Sequence, residues 1–436
     1  MLENTAAPSI YLRSKSGMDL RVGIHANLEA ISQSEWDALF AGSPESWHFY
    51  RSGDQAPPPG FELGAISVAH EGRTVGAAPM FRTVYRFDTS LQGRWRKIGD
   101  WLYQRMPSLV SMRVMGLGSP LSDHCHVGVD RNLSAEQRED VMLALLDGLS
   151  IHAKRERAPL LAAKALTTAQ CDMLEPFFEQ RAYTRVTCIP VVMLNLPFRN
   201  EAHYFSSLTS GTASYLKRKF RPMDKLRIEY RTSIAGLEDE INNLYKATLA
   251  QSPVDYGEFG HVHPAYFDKV LATMGDKAQL MLCWLGDELL SFQLYVVGDR
   301  DIVAKCIGMR YPQAKNYNLY FINWLMIIRF ALAHDKSRIC MGGTTYNTKM
   351  LFGGVIEKRW IYFRFRNSLQ NAILPWLAPA FDFEKNDPEL QALAAKQGQA
   401  NQARSAVKAN GQPPRANGPA SARSAKRAEK VWPDLR

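Results

Sequence analysis

The chain has 436 residues, 46% hydrophobic and 22% charged, with a formal net charge of +10. This is enough chain for two domains, and the balance is that of a globular protein rather than a disordered or fibrous one. Its longest uncharged apolar runs, 318–328 and 186–198, are too short to span a bilayer, and the chain start shows no basic-then-apolar secretory pattern.

Residues 1–19 read as a flexible leader. A first α/β lobe is predicted over 20–197: a helix near Ser32–Phe40, a hairpin of strands Leu63–His70 and Thr74–Arg82 around Glu71-Gly72, and a strand from Ser111 running into a loop that ends Ser122-Asp123-His124-Cys125-His126. Ser134 has N-cap character and opens a helix to about Lys154, and a helix over Thr168–Gln180 precedes the strand Val186–Leu196.

A second lobe is predicted over 198–385. It begins with a basic amphipathic helix around Gly211–Asp224, a helix Leu237–Gln251 and a polar aromatic loop, 252–263. Three strands follow, Ala278–Trp284, Glu288–Val297 and Asp301–Gly308, with turns at Gly286-Asp287 and Gly298-Asp299. The run Asn318–His334 lacks Gly and Pro and reads as a buried helix, followed by the strand Ser337–Met341, a Gly342-Gly343 break, Lys349, and an alternating strand Val355–Phe365. Both lobes thus run hairpin or meander, helix, strand.

From residue 386 the composition turns to Ala, Gln, Lys, Arg, Gly and Pro, and a disordered basic tail is expected over 386–436. From Lys396 onward nine Lys or Arg face two acids, a net +7, so the body carries only about +3. The six cysteines show no C-x-x-C and no paired metal spacing; no metal site is predicted.

Several pieces, in order, resemble the FemAB-like double-GNAT acyltransferases, a broad family that includes peptidoglycan-bridge and CelD-like enzymes. These are Val114–His124, Val192–Pro197, the basic stretch Leu216–Lys225, and Tyr346…Lys349…Phe352-Gly353. The chain departs from that pattern at Cys340-Met341, where an acidic residue is usual, and at Gly308–Tyr317, where a Gln/Arg-x-x-Gly-x-Gly/Ala phosphate loop is usual.

The resemblance implies an α/β fold with mixed sheets in two tandem GNAT-like lobes. It also implies an N-acyltransferase moving an acyl group from acyl-CoA, a co-substrate and not a tightly bound cofactor, to an amine on a cell-envelope, amino-sugar or long-chain-base acceptor. GNAT-type transfer needs no covalent nucleophile, only a path for the amine proton and donors for the oxyanion.

Lys349 is the first candidate for stabilising that charge, with Tyr346 beside it; a solvated lysine and a half-buried tyrosine are the plain alternatives. Asp123 or His124 could take the amine proton, though an extended segment would place His124 and His126 on one face and Asp123 on the other. Arg310, Lys315 and Asn316, before the apolar helix, are expected to meet donor phosphates. Lys217 and Arg218 of the basic helix, with Glu258 and His263 of the aromatic loop, are expected at substrate. The localisation expected is cytoplasmic, with peripheral contact to anionic membrane through the basic helix and tail. The alternatives are an aminoacyl-tRNA-dependent transferase and a non-catalytic scaffold for an anionic partner.

Overall fold

The computed structural model describes residues 9–86, 105, 111–252 and 257–396. In the first half lie β1 (Ile10–Arg13), β2 (Asp19–His25), α1 (Gln33–Leu39), α2 (Trp47–Gln55), β3 (Phe61–His70), β4 (Arg73–Arg86), β5 (Ser111–Leu117), β6 (Gly128–Val129), α3 (Ala135–Arg155), β7 (Leu160–Thr167), α4 (Thr168–Gln180) and β8 (Thr184–Asn195). The second half holds α5 (Glu201–Ser207), α6 (Ser210–Phe220), β9 (Arg227–Arg231), α7 (Glu238–Ala250), α8 (Tyr266–Met274), β10 (Ala278–Leu285), β11 (Glu288–Val297) and β12 (Asp301–Met309). It continues through α9 (Gln313–Asn316), α10 (Leu319–Ala333), β13 (Arg338–Cys340), α11 (Tyr346–Leu351), β14 (Val355–Phe365), α12 (Ser368–Phe381) and α13 (Phe383–Asn386).

Local signals set many of these bounds. Ser32 with Glu35, Ser134 with Gln137, and Thr167 with Gln170 each form a reciprocal capping box, satisfying backbone N–H groups that the first helical turn leaves open. Glu71 and Gly72 both take positive φ, 49° and 78°, as a two-residue hairpin turn between β3 and β4 requires. The helix α10 is apolar on nearly every face and is accordingly buried, with Ile322, Leu325, Ile327 and Ile328 in the core.

Two expectations at the chain ends are corrected. The leader is not structureless throughout, because β1 pairs antiparallel with β2 and Ile10 and Met18 join the first core. Order also continues past residue 386: a helical stretch over 388–396 buries Leu390 and Leu393 against the second half. Residues 397–436 lie outside the described residues.

The strands form one sheet, in the order β1-β2-β3-β4-β5-β7-β14-β8-β13-β12-β11-β10-β9, with β6 on β4. Each half gives its last strand to the other. The strand β14 lies between β7 and β8, and β8 lies between β14 and β13, all three pairings antiparallel. The backbone ladder therefore crosses between the halves without a break. A shared core reinforces it: Trp36, Phe49 and Tyr50 of the first half pack with Phe267, Val270, Phe292 and Leu294 of the second.

Candidate functional site

Each half contains one parallel strand pair that separates. The pair β12 and β13 is in register only over Asp301–Val303 and Arg338–Cys340. Beyond it β13 stays with β8, through Met341 N–H to Val192 O at 2.8 Å and Val192 N–H to Gly342 O at 3.0 Å. β12 continues to Met309 with residues 304–307 only partly buried, the inward Lys305 side chain excepted, although they are interior to the sheet order. A crevice at the carboxyl ends of diverging parallel strands is where open α/β sheets hold ligands. In the first half the matching gap, between β5 and β7, is filled by the chain itself. The loop over 118–126 returns there, with Cys125 N–H donating to Ala165 O at 2.9 Å and Lys164 Nζ to Ser122 O at 2.8 Å and Ser119 O at 3.3 Å.

This loop and the Gly342–Gly343 turn, both singled out in the sequence, meet in the structure. Gly342 takes φ 70°, and a Cβ there would stand 3.5 Å from Asp123 Oδ2. Thr344 and Thr345 follow with φ 58° and 49°, uncommon for β-branched residues. Asp123 is exposed, and the buried guanidinium of Arg359 donates Nε–H to its backbone oxygen at 3.3 Å.

Lys349 is 3% exposed, and its ammonium donates to Gly342 O at 3.0 Å and to Gly343 O. It braces the turn from beneath. Burial pulls its pKa down to about 8, and the negative charge of Asp123 is the main opposing influence. Tyr346 is fully buried one turn earlier on α11.

The placement of Lys349 sets the effect of its removal. For Lys349→Ala, turnover and stability should fall together, with ~1–3 kcal/mol lost, because two buried carbonyls lose their donor. Thermal melting and activity on the same preparation check this. A folded pKa of about 8 against 10.5 unfolded also means that the folded state releases this proton first. The lysine's contribution to stability therefore rises as pH goes from 8 to 10.5, and a Lys349→Met variant should lack that rise.

His124 is half-buried, and its pKa is pulled down to about 3 by burial and by His126, whose ring centroid lies 4.8 Å away. It is a neutral imidazole at physiological pH and a weak base. His126 is held by Tyr50 OH at 2.6 Å from Nδ1 and Ser43 Oγ at 2.9 Å from Nε2. Among the described residues no group of three or more His, Cys, Asp or Glu is placed to hold a metal ion.

Behind the loop lies a buried charge pair. Glu45 and Lys305 pair directly, each side chain about 5% exposed or less. Lys305 also donates to Leu121 O at 3.0 Å, and its Nζ lies 4.2 Å from the Phe49 ring centroid. Ser122 donates its hydroxyl to Glu45. Burial raises the Glu45 pKa, but Lys305 and His126 outweigh it and the net shift is downward. These residues were missed in the sequence, although Lys164 and Lys305 carried a signal as single charges inside apolar strands. Glu45, in a Gly-Ser-Pro-Glu turn, carried none.

The remaining candidates separate. Arg310 pairs with Glu240 and, at 3.1 Å, with Glu288, so two acids already match its charge. Lys315 and Asn316 are exposed on α9, just ahead of α10. The start of α10 has no side-chain cap, and Lys219 Nζ donates to Asn318 Oδ1 at 3.2 Å there. Lys217 lines a surface groove of about 700 Å³ with Phe205, Phe220, Arg221 and Arg329, and Arg218 stands over Tyr215. His263 accepts Ala265 N–H at 3.1 Å at the entry to α8 and is a local turn-former. The side chain of Glu258 lies outside the described residues. Its neighbour Phe259 reaches across to Phe61 and Phe81 of the first half and lies 5.8 Å from Lys164 Nζ, which brings the aromatic loop beside the 118–126 loop.

No protein-family model matches the chain, and no curated protein matches it. Among solved structures it is similar to FemX, at 11% identity and a TM-score of 0.53, over 79% of this chain and 98% of that one. It is also similar to the C-terminal domain of a putative lysylphosphatidylglycerol synthetase from Agrobacterium fabrum, at 12% identity and TM-score 0.47, over 79% and 96%. A tandem GNAT protein from the clavulanic acid biosynthesis pathway aligns at 11% identity and TM-score 0.46, over 80% and 99%. At such identities the likeness is one of fold. The fold of FemX, here one mixed sheet with helices packed on it, is the fold of this chain.

Proposed function

We propose that this chain, built on the FemX-like double-GNAT frame, is an N-acyltransferase that takes its acyl group from a thioester of the acyl-CoA type. The carrying observation is the meeting of the exposed Asp123 carboxylate with the braced Gly342–Gly343 turn at the mouth of the β12/β13 crevice. The edge of β12 past Val303 offers backbone groups to an extended, amide-bearing donor arm. At the phosphate end, exposed Lys315 and the start of α10 supply positive potential. Arg310 does not contribute.

In this reading Asp123 holds the acceptor's ammonium at the mouth and receives its proton. The freed amine attacks the thioester carbonyl, the C–N bond forms, the C–S bond breaks, and the second N–H proton passes to the departing sulfur, which leaves as the thiol. Lys349 is a positioning residue. Its two carbonyl bonds keep the strained turn in register with Asp123. The acceptor class we favour is an amine on a cell-envelope precursor, amino sugar or long-chain base, met at an anionic membrane surface.

The test is free-thiol release from acetyl- and long-chain acyl-CoA with a panel of amine acceptors. Turnover is expected with at least one donor–acceptor pair; no thiol release and no CoA binding would sink the reading. Exposed Lys217 and Arg218 on α6 favour a second reading, an aminoacyl-tRNA donor. Salt-sensitive tRNA binding with no thiol release from acyl-CoA would install it.

A further inference from the structure

The helix α12 presents its apolar face outward. Its fourteen residues, Ser368–Phe381, include no charged side chain. Leu369, Ile373, Trp376 and Leu377 are 78%, 53%, 85% and 48% exposed, and they fall at i, i+4, i+7 and i+8, on one stripe. The inner side is anchored. Leu374 is buried, Asn371 accepts Phe365 N–H at 2.8 Å, and it donates to Ala182 O at 2.8 Å. A helix fixed to the body by its minor face, with tryptophan and leucine turned outward, presents a contiguous apolar surface that the described residues leave uncovered.

Charge surrounds this stripe on one side. Arg366, immediately before the helix, donates to Ala153 O and Ala158 O at 3.3 Å, which brings the end of α3 and its exposed Lys154 and Arg157 to the root of α12. Three acids near this end face arginines, Asp147 with Arg181, Glu156 with Arg82 and Glu175 with Arg185, while Glu179 of α4 is exposed. Downstream, the chain from Lys396 adds a net +7.

We propose that α12 is a membrane-docking element that lies in the interface of an anionic bilayer, its Leu369–Trp376 stripe among the acyl chains and the flanking cations on the headgroups. Interfacial helices combine these features: an apolar face with Trp and Leu, neighbouring Lys and Arg, and too little length to cross. At ~1.5 Å per residue the helix spans ~21 Å, short of a ~30 Å hydrocarbon core. Among the described residues no helix is long and apolar enough to cross a membrane. Charge complementarity selects an anionic lipid surface over a second copy of this basic chain.

The test uses the full chain and sedimentation with vesicles of phosphatidylcholine alone and of phosphatidylcholine with phosphatidylglycerol. Wild type is expected to sediment with the mixed vesicles, and Ile373→Glu with Trp376→Glu to weaken this by about tenfold or more with an unchanged melting curve. A chain lacking 397–436 should keep part of the binding, because the stripe remains. Equal binding by the double variant would overturn the proposal. So would a wild-type dimer that the variant turns into a monomer, since a second copy would then cover the stripe. Thiol release with water-soluble acceptors reads the catalytic proposal separately: the double variant is expected to retain it.

Discussion

Asp123→Asn is expected to lower acyl transfer by ~10²–10⁴-fold, the usual range for loss of a positioned acid–base group. Its melting temperature should stay close to that of wild type. The separation follows from how the residue is held. The loop is fixed through its backbone, by Arg359 on the Asp123 carbonyl and Lys164 on the Ser119 and Ser122 carbonyls. The carboxylate itself is exposed, and its influence on the interior is through charge, on Lys349. An amide keeps the shape and loses the charge that holds the acceptor and receives its proton. Both kcat and the acceptor KM should change, and the donor KM should not. Activity within threefold of wild type would remove Asp123 from the chemistry. His124→Gln should leave the pH profile unaltered in form, since an imidazole with a pKa of about 3 does not titrate in the working range.

Breaking the Glu45–Lys305 pair should give the largest stability change. Glu45→Gln or Lys305→Met each leaves a buried charge without its partner, at a cost of ~3–5 kcal/mol. The double variant should cost less than the sum, because removing both charges removes the desolvation penalty as well. Lys305 stands on β12 of the second half, while Glu45 and the Leu121 carbonyl belong to the first. The singles should therefore loosen the loop that carries Asp123 and lower activity beyond the fraction unfolded. Denaturant unfolding of the four-member cycle measures the coupling, and additive costs would refute it.

The same cluster predicts an acid limb of stability. His124 and His126 are held below their ordinary value by burial, so as pH falls through 6.5 the unfolded chain takes up protons that the folded one refuses. Stability then drops progressively toward pH 3. Glu45, also held down, adds to the loss below its unfolded value of 4.5.

Local pattern made much of the architecture readable. Capping residues, the Glu71-Gly72 turn and the alternating runs act within a few residues, and they placed α3, α4, α7, β10 to β12 and β14 near their observed bounds. The crevice-side turn was legible for the same reason, since only glycine repeats and a strand end were needed to mark it. The helix α12 was not: Pro375 and Pro379 interrupt the helical signal, and an outward apolar stripe reads in sequence like an inward one.

What sequence alone determined was the set of elements, their order and the two loops worth watching, Asp123–His126 and Gly342–Lys349. The tertiary structure decided the rest. It exchanged β8 and β14 between the halves, set Lys349 as a buried brace under the Gly342–Gly343 turn, and paired Arg310 with acids from two other elements. The physical reason is range. Helix caps and strand alternation are fixed by near neighbours, whereas the state of a charge depends on burial and on partners such as Glu45 and Lys305, 260 positions apart in the chain.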